Sequence, residues 1–239
     1  MKVSTIERLI PDQVAPDDVT GQATLQLHVQ RYEFAAEHLK PGRLLDIACG
    51  VGYGTHLMAE KASNLVEAIG VDLSQQAIEY ARQHYAGGRL QFQQHDAMTF
   101  ADDKGFDSIV SVETLEHVSD PNGLIDHMVG LIRPGGVFIA SVPTTPSVDV
   151  NPYHLHDFTE RSFRRMVTTH GLRELTCLRQ VQPYPLMRTL KRDESRMKDM
   201  RQSLMSYYLR HPWALAKRLW STQRYGFTNR YLTVVWQKE

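Results

Sequence analysis

Leu44-Leu45-Asp46-Ile47-Ala48-Cys49-Gly50-Val51-Gly52-Tyr53-Gly54 decides how the chain folds. An apolar run carrying a single acid enters a glycine loop, and the residues beyond it take up a helical pattern. The segment therefore predicts a strand, a loop and a helix in succession. Glycines in such a loop let the backbone approach a ligand closely. A dinucleotide fingerprint requires G-x-G-x-x-G, and Thr55 stands where the third glycine belongs, so that reading fails. Asp46 lies just before the loop, where a carboxylate disfavours a pyrophosphate but suits an ammonium or sulfonium group. The pocket reads as one built for a cation.

Moving outward, Ile69-Gly70-Val71-Asp72-Leu73-Ser74 ends a second strand with an acid 22 residues beyond Gly50, placed to accept both hydroxyls of a ribose. A third strand ends in Gln93-Gln94-His95-Asp96-Ala97, whose acid can accept from an adenine amino group. The apolar runs predict strands at Arg43–Ala48, Val66–Val71, Leu90–Gln94, Asp107–Val112, Gly136–Val142, Arg173–Arg179 and Arg230–Gln237. Helical patterns fall at Gln26–Leu39, Tyr53–Lys61, Gln75–Tyr85, Asn122–Ile132 and Thr159–Thr169. The alternation is that of βαβ units: an α/β, Rossmann-like, seven-stranded mixed sheet with helices on both faces. Residues 183–228 break the rhythm as a helical insertion before the last strand, holding ten basic residues against three acidic ones. The expected organisation is one domain over 1–239, with a cofactor-binding core at 26–182, a helical lid at 183–228 and a last strand at 229–239.

The 239 residues include 27 Lys+Arg and 27 Asp+Glu, and this balance excludes a broadly basic nucleic-acid coat. With 42% hydrophobic and 23% charged residues the composition is globular rather than disordered. No apolar run is long enough to span a bilayer, and Met1–Ile10 lacks a secretory core. Two cysteines, Cys49 and Cys177, are too few for a disulfide framework, so the expectation is a cytoplasmic protein with free thiols.

Glycine loop, ribose acid and adenine acid at three successive strand ends make the chain resemble the class I S-adenosylmethionine-dependent methyltransferases. The Leu131–Phe138 segment leading into the fifth strand fits the same pattern, and the resemblance spans residues 26–180. It implies an S-adenosyl-L-methionine site formed by Asp46, the backbone from Ala48 through Gly50 to Gly52, Asp72, Leu73, Asp96, Ala97 and the strand end near Val112 and Glu113. Ala48 departs from the family, many of whose members have the first loop glycine there. Arg31-Tyr32 on the leading helix could lie over the cofactor carboxylate.

Methyl transfer is an in-line displacement, so alignment and water exclusion are the main tasks, and a hydroxyl acceptor must also lose a proton. Glu113, Glu116 and His117 stand at i, i+3 and i+4, so a helical turn there would put two carboxylates and an imidazole on one face, a donor set for a divalent metal. This E-x-x-E-H is similar to that of the ubiquinone-pathway O-methyltransferases and the small-RNA 2′-O-methyltransferases, where a second histidine completes a metal site. That resemblance points to His154, four residues before Phe158, with His156 as competitor. The expected ligands are then Glu113, Glu116, His117 and His154 around Mg²⁺ or Mn²⁺. The metal-free alternative has Glu113 in the cofactor pocket and His117 or His154 as general base. The expected acceptor is a hydroxyl on a small molecule such as a sugar, polyketide, phenol or quinol. A 2′-hydroxyl at an RNA end, disfavoured by the neutral charge balance, and a non-catalytic binding module are the rivals. The basic insertion suggests a lid, a homodimer surface or contact with a charged membrane face.

Overall fold

A computed structural model describes residues 9–183, 200, 201 and 203–239. A leading helix α1 (Val19–His38) precedes β1 (Gly42–Ile47), α2 (Tyr53–Lys61), β2 (Leu65–Asp72), α3 (Gln75–Tyr85) and β3 (Leu90–Gln94). Then come β4 (Phe106–Val112), α4 (Pro121–Leu131), β5 (Ile132–Pro143), α5 (Glu160–Thr168) and β6 (Leu172–Pro183). Two further helices, α6 (Leu204–Arg210) and α7 (Pro212–Tyr225), lead to β7 (Thr228–Lys238). The sheet has seven strands in the order β3-β2-β1-β4-β5-β7-β6. Strands β1 to β5 pair in parallel, and β7 runs antiparallel to both neighbours, which makes the sheet mixed.

Adjacent residues on one strand face opposite sides, and this alternation builds two cores. Leu44, Ala68, Val110 and Ile139 pack with Tyr32, Met58 and Ile78 of α1, α2 and α3. Leu45, Ile69, Ile109 and Phe138 pack on the other face with Leu124 of α4, Phe163 of α5 and Trp236 of β7. The central strands are buried on both faces, as parallel strands covered on two sides must be. Helix starts follow local chemistry: Asp18 accepts from Gly21 N, Asp120 from Gly123 N ahead of Pro121, and Thr159 forms a capping box with Ser162.

Two expectations need correction here. The leading helix starts at Val19 rather than Gln26, because the Asp18 cap and the Gln22 side chain, which donates to the carbonyls of Val14 and Ala15, hold about two extra turns with little apolar pattern. The fifth strand starts at Ile132, ahead of the glycines that suggested Gly136. The insertion is helical where it is described, in α6 and α7; its stretch 184–199 lies outside the described residues. Among the described residues no helix is long and apolar enough to cross a membrane.

Candidate active site

The strand order reverses between β1 and β4, and ligands in open α/β sheets bind in the crevice beyond the strand ends at such a point. Two non-glycine residues among those described have positive φ, and they sit one on each side of it: Ala48 (57°) after β1 and Glu113 (52°) after β4. Left-handed backbone at non-glycine residues is strained and persists where the surroundings enforce it. In the loop, Gly50 (57°) and Gly52 (84°) are also left-handed. A side chain at Gly52 would run into Phe92 and Ala81, whereas a Cβ on Gly50 meets nothing. The loop is therefore packed tight at Gly52 and open at Gly50.

Asp46 is fully buried beneath this loop. One carboxylate oxygen accepts from Thr55 Oγ1 at 2.6 Å, and the other is buried without a hydrogen-bond partner. Burial pushes its carboxyl up to about 7; the Thr55 hydrogen bond opposes the shift and Asp72 adds to it. A buried acid with an unused oxygen beside an open backbone cradle fits a cationic cofactor. Tyr32 packs its ring on Gly54 and edge-on to Tyr53, with centroids 5.7 Å apart, and its hydroxyl is pushed up by burial and by Asp46. Asp72 takes Gly50 N at 3.0 Å on one oxygen and Ser74 N at 2.8 Å on the other. Leu73 beyond it is 69% exposed, an apolar surface next to the acid. Asp96 is exposed and accepts from Met98 N at 2.9 Å, and Ala97 is half-buried.

Residues 113–118 form a tight turn closed by His117 N to Thr114 O at 3.0 Å, not the expected helix, because the left-handed Glu113 turns the chain at the strand end. The supposed common face therefore divides. Glu113 turns to β5 and α1: its Oε1 accepts from Ser141 Oγ at 2.9 Å and lies 3.3 Å from Arg31 Nη1. Arg31, expected with Tyr32 over the cofactor, is buried instead between Glu113, Gln180 and the Tyr231 ring. Glu116, His117 and His154 do converge, with ligand atoms all within 4.8 Å of one another. Glu113 is outside that group. His117 Nδ1 lies 3.2 Å from the Tyr153 carbonyl, to which it can only donate, so in the neutral ring the lone pair is on Nε2, 4.0 Å from Glu116 Oε1. His154 Nδ1 is 2.6 Å from Ser147 Oγ, and burial, then His117, hold its ring down to about 4 while Asp157 opposes them. The competitor His156 is tied by Nε2 to the Val118 carbonyl at 2.9 Å.

A cavity of about 550 Å³ adjoins the end of β4. Glu113, Glu116, His117 and His154 line it from the sheet side, and Tyr208 and Leu219 from α6 and α7. The two helices are fastened over it by Asp149, a buried acid in the loop after β5 that accepts from Tyr208 Oη at 2.7 Å and Arg218 Nε at 2.9 Å. Nothing in the sequence pattern marks Asp149, whose partners lie 59 and 69 residues away. Thr55 also escaped the sequence reading; its place where the dinucleotide glycine is absent was the available signal.

Residues 45–140 match the family model described as a methyltransferase domain. Residues 45–140 thus carry a methyltransferase domain, similar to that of the class I S-adenosylmethionine-dependent methyltransferases. Phosphoethanolamine N-methyltransferase 1 of Arabidopsis thaliana is 30% identical over 183 residues, covering 71% of this chain and 36% of the relative. Ubiquinone biosynthesis O-methyltransferase of Aeromonas salmonicida is 35% identical over 109 residues, 44% of each chain. The chain thus spans less than half the length of either relative. The structure of N-methyltransferase NodS from Bradyrhizobium japonicum with S-adenosyl-L-homocysteine superposes with a TM-score of 0.61 at 16% identity, covering 98% of this chain and 94% of that one, a likeness of fold.

Proposed function

We propose that the protein transfers the methyl group of S-adenosyl-L-methionine to a hydroxyl of a small molecule, of the sugar, polyketide, phenol or quinol class, held in the cavity under α6 and α7. One observation carries this reading: Glu113 ends the strand beside the glycine loop and also lines the cavity that holds Glu116, His117 and His154, so cofactor edge and acceptor chamber meet at one residue. The cofactor supplies a methyl group on a positively charged sulfur. Asp46 would face its cationic end, the open backbone at Gly50 would lie against it, and Asp72 would take the ribose hydroxyls. Glu113, fixed by Arg31 and Ser141, would orient what lies between the two chambers, and α6 and α7 would exclude water.

Proton removal from the acceptor falls to the cluster. A carboxylate and two imidazoles leaving an open side are a fitting donor set for a divalent ion, and Glu116, His117 and His154 would hold it. Such an ion would lower the pKa of an acceptor oxygen. Without an ion, His117 is the better base: its Nε2 carries the lone pair, whereas the buried His154 is too weak a base to drive the transfer. Calorimetry provides the first test. S-adenosyl-L-methionine should bind and NAD should not, and Asp72→Ala should weaken binding by about 1.5 to 3 kcal/mol, the range for a hydrogen bond with a charged partner. NAD binding, or unchanged affinity in the variant, would overturn the cofactor assignment. Turnover of hydroxyl acceptors with and without chelator then separates the ion from the unaided base, and transfer confined to amines would overturn the hydroxyl.

A further inference from the structure

Helix α7 is turned inside out. At 100° per residue Trp213, Lys217, Trp220 and Arg224 share one face, and Arg218, Ser221 and Thr222 share the other. An ordinary surface helix would turn the two indoles toward the core. Here Ser221 is buried and Arg218 reaches inward to Asp149, while Trp213 is 85% and Trp220 60% exposed. On α6, Leu209 (83%) and Met205 stand out in the same way, four residues apart on one face. The interior polarity is explained by the Asp149 fastening. The exterior indoles need a second explanation, since two exposed tryptophans on one helical face are not expected of an isolated soluble surface.

Charge points to the occupant. Residues 200–228 contain five basic residues, Arg201, Arg210, Lys217, Arg218 and Arg224, and no acidic residue. Arg210, Lys217 and Arg224 are exposed; Lys217 is paired with Asp157 at 2.8 Å, so Arg210 and Arg224 carry the charge of this face, the latter with its guanidinium 5.9 Å from the Trp220 ring centroid. Two copies docked through this face about a two-fold axis would oppose like charges, whereas an anionic lipid surface answers both the cations and the indoles, whose amphipathic rings favour a membrane–water boundary. The apolar skin also continues inward: Leu219 and Phe227 are more than half exposed and line the cavity as well.

We propose that the outer face of α7, with Met205 and Leu209 of α6, seats the protein on an anionic lipid surface, with the mouth of the cavity at Leu219 and Phe227 opening onto it. The test uses the full chain and flotation with vesicles of phosphatidylcholine, alone or with about one third phosphatidylglycerol. Binding to the anionic vesicles should exceed that to neutral ones by roughly tenfold and fall at about 0.5 M salt, where screening is short-ranged. Tryptophan emission should shift to the blue and be quenched by brominated lipid, a signal that comes from the surface because Trp236 is fully buried. Trp213→Ser with Trp220→Ser should remove at least about four-fifths of the binding while melting temperature and cofactor affinity stay unchanged. Absence of vesicle binding, binding that survives the double variant, or a dimer in which the indoles are already shielded would each overturn the proposal, the last by giving the face to a second copy. Vesicle binding is read without turnover, so this failure is distinct from failure of the methyl-transfer reading.

Discussion

The two halves of the site are made in different ways. The proposed cofactor edge is local: Asp46, Ala48 to Gly52 and Asp72 lie at the ends of adjacent parallel strands, and their polar contacts, such as Gly50 N to Asp72, join residues of one βαβ unit. The proposed acceptor side is assembled from afar, by a loop after β5, two helices before β7 and a turn after β4. Binding of cofactor and handling of acceptor should therefore separate under mutation, and the separation can be attacked from both sides.

The largest effect is expected at the cluster. His117→Ala should lower turnover by about 10² to 10⁴-fold, the usual contribution of a positioned base or of the ligand set that replaces it, with cofactor affinity within about twofold of the parent. If both fall together, the two halves are one unit and the comparison is broken. A middle effect is expected at Asp46. Its carboxyl lies at about 7 and must be ionised to face a cation, so affinity for S-adenosyl-L-methionine should rise about tenfold from roughly pH 6 to pH 8 and then level off. The sign follows from burial: protonation below that point neutralises the group the cation needs. Asp46→Asn should bind weakly with a flat profile by calorimetry, and a profile still sloping would move the titration to another group. The smallest effect is expected at the roof. Tyr208→Phe removes one hydrogen bond to Asp149 and should raise the acceptor KM about three- to tenfold, corresponding to about 1 kcal/mol, with the cofactor Kd unchanged.

What was legible in the sequence follows the same division. Strands β1 to β4 and helices α2 and α3 could be located closely because each rests on a short apolar run or a near cap, as at Ser74. The residues proposed to hold the cofactor stand at the ends of those same elements, which is why the pattern alone could single them out. Glu116, His117 and His154 were legible as residue types, but not the divergence of Glu113, which depends on a left-handed strand end and on Arg31 reaching across from α1. The facing of α7 was hidden as well. Its period shows two faces, but only Asp149, far away in the chain, decides that the arginine face turns inward.

The place of β7 has a consequence for how the protein is made. This last strand lies between β5 and β6 and supplies Trp236, which stacks on Phe138 and meets Phe163 edge-on. As the chain leaves the ribosome, β1 to β5 can pair in the order in which they appear, but β6 has no place in the sheet until residues 228–238 emerge. The nascent chain must then carry an open sheet edge and an unfilled core through the synthesis of every residue of the insertion, and that interval is when it most needs a chaperone.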